Sequence, residues 1–491
     1  MRWVSWILLA VYAAFLLAVI GDFRAVMGDE AAYIDPALRW CDGLGFTSAA
    51  WWQSPEQLWA CNVPLYAVVA AAWVKVTGLS SLWGLRALSL LLYVSGIAFW
   101  ILGCRRAGWF KSPAQQAVFV ALLLGSLYAT APSQYIRPEA LAALILGLSL
   151  WGQTLSSSHA RSLAAFLSGV LASLSGLQFA VTLSLFGLVW WLGTSIKPWR
   201  SLVWCLAGGV AGFLVLAGIY FHSGVLEIFL RSTFGLGSNR MAQWHGWRDP
   251  MLWTGSAVLV LAVLQHGIPR RERYWAAAGL AAGPGLAAVL FLLSKYPQYY
   301  GFLAALPTCT AVAAVYPCFR GGVRLGVVLL LVAASLAGFP LAALMNWNLM
   351  SSRQHDSLER WTDNALDDVP AVFVDPAAYF AAKHSKRLVY THAVLPALTS
   401  DERNGIEALV LMPEHPHHHL KRDTVLQLLG GTWKLAGAFR QGDAPPSRFP
   451  LLDVLSRLSY AGTYRFEVWR REHPRMEKSD DDSLGAIRTG L

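Results

Sequence analysis

Charge is scarce in this chain. Only 14% of its 491 residues are Asp, Glu, Lys or Arg, and 56% are apolar; an ordinary soluble protein carries about 25% charged residues. A soluble chain of this hydropathy would need a very large core. Cysteine is also sparse. There are six, with no CxxC pair and no metal-type spacing, which leaves no cysteine-built metal motif. The sequence has no internal repeat, no low-complexity tract and no basic patch with interleaved aromatics. The net charge of +10 therefore does not indicate a nucleic-acid partner.

What is present is a series of apolar blocks of roughly 17–22 residues, the length of a bilayer span. Reading them against the charged breaks predicts eleven spans, near 5–21, 82–103, 115–131, 138–154, 162–176, 178–194, 202–221, 251–266, 274–293, 297–317 and 323–345. Arg2 and the apolar run to Ile20 have the look of a signal peptide, but no small-x-small cleavage site follows. An uncleaved first span is the expectation.

The charges orient these spans. With the N-terminus in the cytoplasm, the cytoplasmic breaks carry Arg105, Arg106 and Lys111; Arg161; Lys197 and Arg200; Arg270, Arg271 and Arg273; and Arg320 and Arg324. The opposite face holds Asp22, Asp29, Glu30, Asp35, Asp42, Glu56, Glu139, Glu227 and Asp249. That is the asymmetry expected when cytoplasmic loops retain Lys and Arg. An odd span count then places the C-terminus outside. Cys41 and Cys61 share the first outer loop, as a disulfide or as two free thiols.

Three regions lie outside the spans. The first loop, about 22–81, has turn signals at Asp42-Gly43 and Gly45 and room for short helices on the membrane surface. The second, about 222–250, carries Arg231, Arg240 and Arg248. From about 350 the chain has ordinary polarity. Short β-rich runs (371–374, 387–391, 406–412, 433–439, 463–470) alternate there with helical stretches (376–384, 420–429, 451–458), which predicts a small α/β domain over 350–473. Residues 474–491, with Lys478-Ser-Asp-Asp-Asp, have a disordered composition. His415, His417, His418 and His419 cluster in this tail without the spacing of a defined metal site.

Charge at a membrane edge needs a reason, because each charged side chain at the centre of a span costs about 2.5–3.5 kcal/mol on insertion scales. Four groups at outer span ends qualify. Asp29 and Glu30 follow Gly28, and a carboxylate with restricted solvent can act as a general base. In Arg137-Pro138-Glu139, proline starts a helix and Glu139 suits the positive end of its dipole. Arg137 opposes that dipole, and an anion-binding role would explain it. Lys295, with Tyr299 and Tyr300, forms an interfacial belt or a phosphate contact. Arg231, Arg240 and Arg248 suit bidentate phosphate binding or simple headgroup contact.

In this order, these residues resemble the GT-C superfamily of membrane glycosyltransferases, in particular the branch holding protein O-mannosyltransferases and the lipid A aminoarabinose transferase. Asp29-Glu30 after span 1, with Tyr33 and Ala37, is similar to the first-loop acidic motif. Asn62-Val63-Pro64-Leu65-Tyr66 stands where the family often has Lys/His-Pro-Pro-Leu-Tyr. Val76-Thr77-Gly78 and Arg86 follow, as at the entry to the second span. Arg137-Pro138-Glu139 resembles an Arg-Pro-Asp motif, and the stretch from Lys295 to Pro307 a K…Y…P motif. The likeness covers about residues 1–345. It departs at Asn62, Val63 and Glu139, and at Gln178, where many relatives show lysine or histidine.

The resemblance implies an α-helical polytopic membrane protein with a transmembrane catalytic domain over 1–349 and an extracytoplasmic C-terminal domain, in a bacterial inner membrane. It implies a glycosyltransferase with a polyprenyl-phosphate sugar as donor and a glycan, lipid or protein as acceptor. Asp29 would be the base, with Glu30 or Glu139 positioning acceptor or sugar. Arg137, Lys295, Arg231 and Arg240 would meet the donor phosphate, and Tyr33, Asn62, Tyr66, Tyr299 and Tyr300 would line the substrate site. No cofactor is required. A carboxylate cluster could accommodate a divalent metal, but the residues do not call for one. A transporter of lipid-linked glycans would show inverted repeats, and a scaffold would leave the outer charges unexplained.

Overall fold

The computed structural model describes residues 3–176, 199–235, 248–292, 297–383, 387–413, 422–441 and 464–472. The predicted span at 178–194, the predicted helix at 451–458, the histidine cluster, Lys295 and Arg240 lie outside the described residues.

The N-terminal part is helical. Helix α1 spans Val4–Phe23, α2 Gly28–Cys41, α3 Pro64–Thr77, α4 Leu82–Arg106, α5 Pro113–Gly125, α6 Leu127–Thr130, α7 Pro138–Gly152, α8 Ser158–Ser175 and α9 Trp199–His222. Further helices include Pro250–Leu264, Pro297–Val315, Gly321–Ala337 and Phe339–Leu349. Among the described residues, five helical stretches are long and apolar enough to cross a membrane: Val4–Phe23, Leu82–Arg106, Trp199–His222, Tyr300–Cys318 and Gly321–Ala365. Counting the bent pair α5–α6 makes six. Pro64–Thr77, Pro138–Gly152 and Pro250–Leu264 are apolar but shorter. The fold is thus polytopic.

The block read as one span at 115–131 is broken in the structure. Ser126 is extended, and α5 meets the following helical residues at 84°. A broken helix frees backbone groups that need partners. The Asp249 carboxylate supplies them, accepting from the Ser126 hydroxyl and from the Tyr128 amide at 3.2 Å.

Helices without a hydrophobic driving force between them pack through small residues. Gly96 of α4 and Gly147 of α7 are in direct backbone contact: a Cβ on Gly147 would sit 2.1 Å from the Gly96 carbonyl oxygen. Outward-facing apolar side chains, such as Val210, Leu214 and Leu329, stay exposed, as a lipid-facing surface requires. At one end of the bundle Lys111 pairs with Glu272 at 2.9 Å, joining two of the breaks read as cytoplasmic.

The first loop folds as α2, α3 and the segment between them, tied by a bridge between Thr47 and Leu58. Cys41 and Cys61 are free thiols.

Beyond residue 350 lies a five-stranded sheet in the order β2-β1-β3-β5-β4. Its strands are β1 Ala371–Val374, β2 Leu388–Tyr390, β3 Ala408–Leu411, β4 Trp433–Arg440 and β5 Arg465–Arg471. β1 pairs in parallel with β2 and β3, and β5 runs antiparallel to β3 and β4. β1 and β3 are buried along their whole length, which is why both read as unbroken apolar runs.

The sheet region docks onto the first loop through polar contacts. Asp35 of α2 is buried. It accepts from Tyr379 Oη at 2.5 Å, the Ala49 amide at 2.6 Å and Ser48 Oγ at 3.0 Å. Burial, then the neighbouring Asp35 charge, holds the Tyr379 phenol well above its ordinary range, so it stays protonated and donates. The Thr391 amide donates to the Ala49 carbonyl at 3.1 Å, and Lys383 pairs with Asp42 at 2.8 Å. Tyr379→Phe is expected to cost about 1.5–3 kcal/mol, the worth of a hydrogen bond to a charged group, read as a lower thermal midpoint of the full chain. An unchanged midpoint would mean this contact does not hold the two regions together.

Candidate active site

The site forms where α2 and α7 begin. Asp29 and Glu30 occupy the first turn of α2, where the exposed amides and the helix dipole favour negative charge. Arg137 is the N-cap residue of α7, Pro138 is its first residue and Glu139 lies in its first turn.

The two acids of α2 have different fates. Glu30 is fully buried. Its carboxylate takes a two-pronged contact from Arg86 of α4, Nε to Oε1 at 2.9 Å and Nη2 to Oε2 at 2.8 Å. Oε1 also accepts from the Ile136 amide and Oε2 from the Met27 amide, both at 2.9 Å. Arg86 is as buried, and its Nη1 donates to the carbonyls of Ile20, Gly21 and Arg24 at the end of α1. One ion pair thus ties α1, α2, α4 and the segment before α7. With four donors around it, Glu30 has no oxygen positioned to take a proton from a substrate.

Asp29 faces the other way, with its side chain about one-third exposed. Oδ2 accepts from Arg137 Nη1 at 2.9 Å. Oδ1 takes part in no hydrogen bond among the described residues. The same guanidinium grips Glu139, Nε to Oε2 and Nη2 to Oε1, each at 2.9 Å. Arg137 is buried, and its Cζ lies 5.5 Å from the centre of the Tyr33 ring. Every nitrogen of Arg137 is therefore turned to a carboxylate. Its guanidinium holds Asp29 and Glu139 together.

Tyr33 is half-buried, and burial holds its phenol well above the ordinary range, so it stays neutral beside Asp29. Tyr66 is fully buried, its hydroxyl 2.7 Å from Ser89 Oγ. Asn62 is half-buried beside the Cys61 thiol. Tyr300 is half-buried on Pro297–Val315, and the Tyr299 side chain falls outside the described residues. Arg231 is exposed just past the short helix Leu226–Leu230. Among the described residues no ion pair joins it to the cluster, and no three metal-ligating side chains converge.

Sequence reasoning missed the weight carried by Arg86, Asp35 and Tyr379. A signal for Arg86 existed: a lone cation inside an apolar block needs a buried partner.

No family model matches the chain, and no curated protein matches it by sequence. Solved structures do. The apo crystal structure of ArnT from Cupriavidus metallidurans superposes with a TM-score of 0.54 at 15% identity, covering 94% of this chain and 97% of that one. The cryo-EM structure of the arabinofuranosyltransferase AftD from Mycobacteria has a TM-score of 0.49 at 16% identity, over 95% of this chain and 41% of that one. At this identity the ArnT likeness is one of fold, and it runs almost from end to end. The chain shares the fold of that ArnT structure.

Proposed function

We propose that the chain is a membrane glycosyltransferase that moves a sugar from a polyprenyl-phosphate donor to an acceptor hydroxyl at the extracytoplasmic face. The observation that carries this reading is the contrast within one helical turn. Glu30 is sealed by Arg86, while the Asp29 side chain is about one-third exposed and is oriented by an arginine that also holds Glu139.

In this reaction Asp29 Oδ1 takes the proton of the acceptor hydroxyl. The acceptor oxygen forms a bond to the anomeric carbon from the side opposite the phosphate. The bond from that carbon to the phosphate oxygen breaks, and its electron pair leaves on the phosphate. A single displacement inverts the anomeric centre and forms no sugar–enzyme bond. A positioned base contributes about a hundred- to ten-thousand-fold in rate. Arg137 fixes the carboxylate's direction, since displacement needs the reacting atoms about 3–3.5 Å apart and aligned. Glu139 keeps Arg137 in place and is a candidate to touch the donor sugar. Cations at the membrane edge would stabilise the charge developing on the phosphate; Lys295, Arg240 and Arg231 are the candidates. Asn62, Tyr66, Tyr299 and Tyr300 remain the proposed lining, with Tyr66 acting through packing.

The test is mass analysis of surface glycans and lipids from cells with and without the gene. One sugar-bearing species should vanish on deletion and return on expression of the chain. Identical profiles would count against the transferase reading.

A further inference from the structure

Arg353 follows the helix Phe339–Leu349, at the end of the bundle where α1 also ends. Its side chain is 1% exposed. Nη1 donates to the Phe23 carbonyl at 3.3 Å and to Asn346 Oδ1 at 3.0 Å. Nε and Nη2 have no hydrogen-bond partner, and among the described residues no carboxylate forms an ion pair with Arg353. The contrast with its neighbours is sharp. Arg86 and Arg137 are equally buried, yet each guanidinium meets a carboxylate through two prongs. A buried, unpaired guanidinium is costly, and its two unmet donors add to that cost.

The groups around it make the site more positive. Arg24, Arg86, Tyr135 and Tyr464 are its electrostatic neighbours. Arg24 is half-buried, with its Cζ 5.7 Å from the centre of the Phe23 ring and its Nε donating to Gln134 at 2.9 Å. Among the described residues Arg86 pairs with Glu30 alone and takes both its oxygens. Asp22 accepts from the His355 amide at 2.8 Å. Tyr464 closes the other side: its amide donates to the Ser352 carbonyl and its hydroxyl accepts from the Val26 amide.

Exposed apolar side chains lie on the helix that precedes this charge cluster. Leu344 and Trp347 on Phe339–Leu349 are exposed, and Trp347 stacks on Phe15 of α1 at 6.2 Å between ring centres. A ligand that fits both parts has an anionic head and a long apolar chain. Two adjacent N–H donors of a guanidinium match two oxygens of a phosphoryl group.

We propose that Arg353, with Arg24, binds the phosphoryl head of a lipid at the seam between the helical bundle and the C-terminal sheet. The phosphate belongs either to the polyprenyl donor, which would rest on the transferase reading, or to a bilayer phospholipid, which would not.

The test uses the full-length protein in a neutral detergent, with thermal stabilisation and binding measured for sugar-free polyprenyl phosphate, phosphatidylglycerol and inorganic phosphate. At least one lipid should raise the unfolding midpoint of the wild type, and Arg353→Gln should weaken its binding tenfold or more. Asn346→Asp provides a second arm, because it sets a carboxylate beside Nη1. It should match or exceed the wild-type midpoint without ligand while also weakening lipid binding about tenfold. A shift with polyprenyl phosphate alone assigns the site to the donor; a shift with both lipids assigns it to anionic lipid in general. No shift with either lipid, a shift with inorganic phosphate alone, or full lipid affinity in Asn346→Asp would overturn the proposal. Sugar transfer is not part of this readout, so failure here leaves the transferase reading standing, and loss of transfer activity would not touch this site.

Discussion

Asp29→Asn is expected to lower the rate of sugar transfer about a hundred- to ten-thousand-fold, the range for removing a positioned base. The substitution is nearly isosteric. An asparagine oxygen can still accept from Arg137 Nη1, as Asp29 Oδ2 does at 2.9 Å, so the fold and donor binding should survive. The Asn side chain cannot take a proton at neutral pH. The check is a pair of measurements on the same membranes: binding of the lipid-linked sugar, and the initial rate of its transfer. Binding near wild type with transfer lost assigns Asp29 to the chemical step. A variant that transfers at the wild-type rate would move the base elsewhere, and Glu139 would be the next carboxylate to change.

The largest structural effect should come from Arg86→Met. It leaves Glu30 buried with both oxygens deprived of their charged partner. Removing one member of a buried ion pair costs about 3–5 kcal/mol, a large part of the stability of any domain. The thermal midpoint should fall steeply, and expression with it. Replacing both partners by apolar residues should recover much of the loss, because no uncompensated charge then remains. If Arg86→Met and the double variant unfold at the same temperature, the pair is not what joins α1, α2 and α4. Separate readouts keep the two experiments apart: the Asp29 variant is read on rate, the Arg86 variant on folding.

Local patterns carried a good deal of this structure. β1 and β3 were visible as short apolar, β-branched runs because both are buried on two faces. The start of α7 was visible because proline at a first helical position follows from its fixed φ and missing N–H. The acidic pair at Asp29 and Glu30 was visible as charge at a span end. Other features depend on partners far away in sequence. Nothing near Glu30 distinguishes it from Asp29; the difference is Arg86, 56 residues on. The break at Ser126 lies in a block that is apolar throughout, and the Asp249 carboxylate that stabilises it lies 123 residues later. Arg137 was read as an anion-binding residue because it opposes a helix dipole. In the structure two carboxylates converge on it, neighbours that the local sequence does not reveal.

The contact between Asp35 and Tyr379 spans 344 residues of chain. The helix that presents Asp35 leaves the ribosome well before the tyrosine that binds it. Until that tyrosine arrives, Asp35 has no phenol to bind, and the first loop lacks the surface it rests on. A chain terminated before Tyr379 would lack the phenol that Asp35 binds. The order of synthesis therefore matters to α2: its buried carboxylate gains the Tyr379 phenol only after the helical bundle has been made.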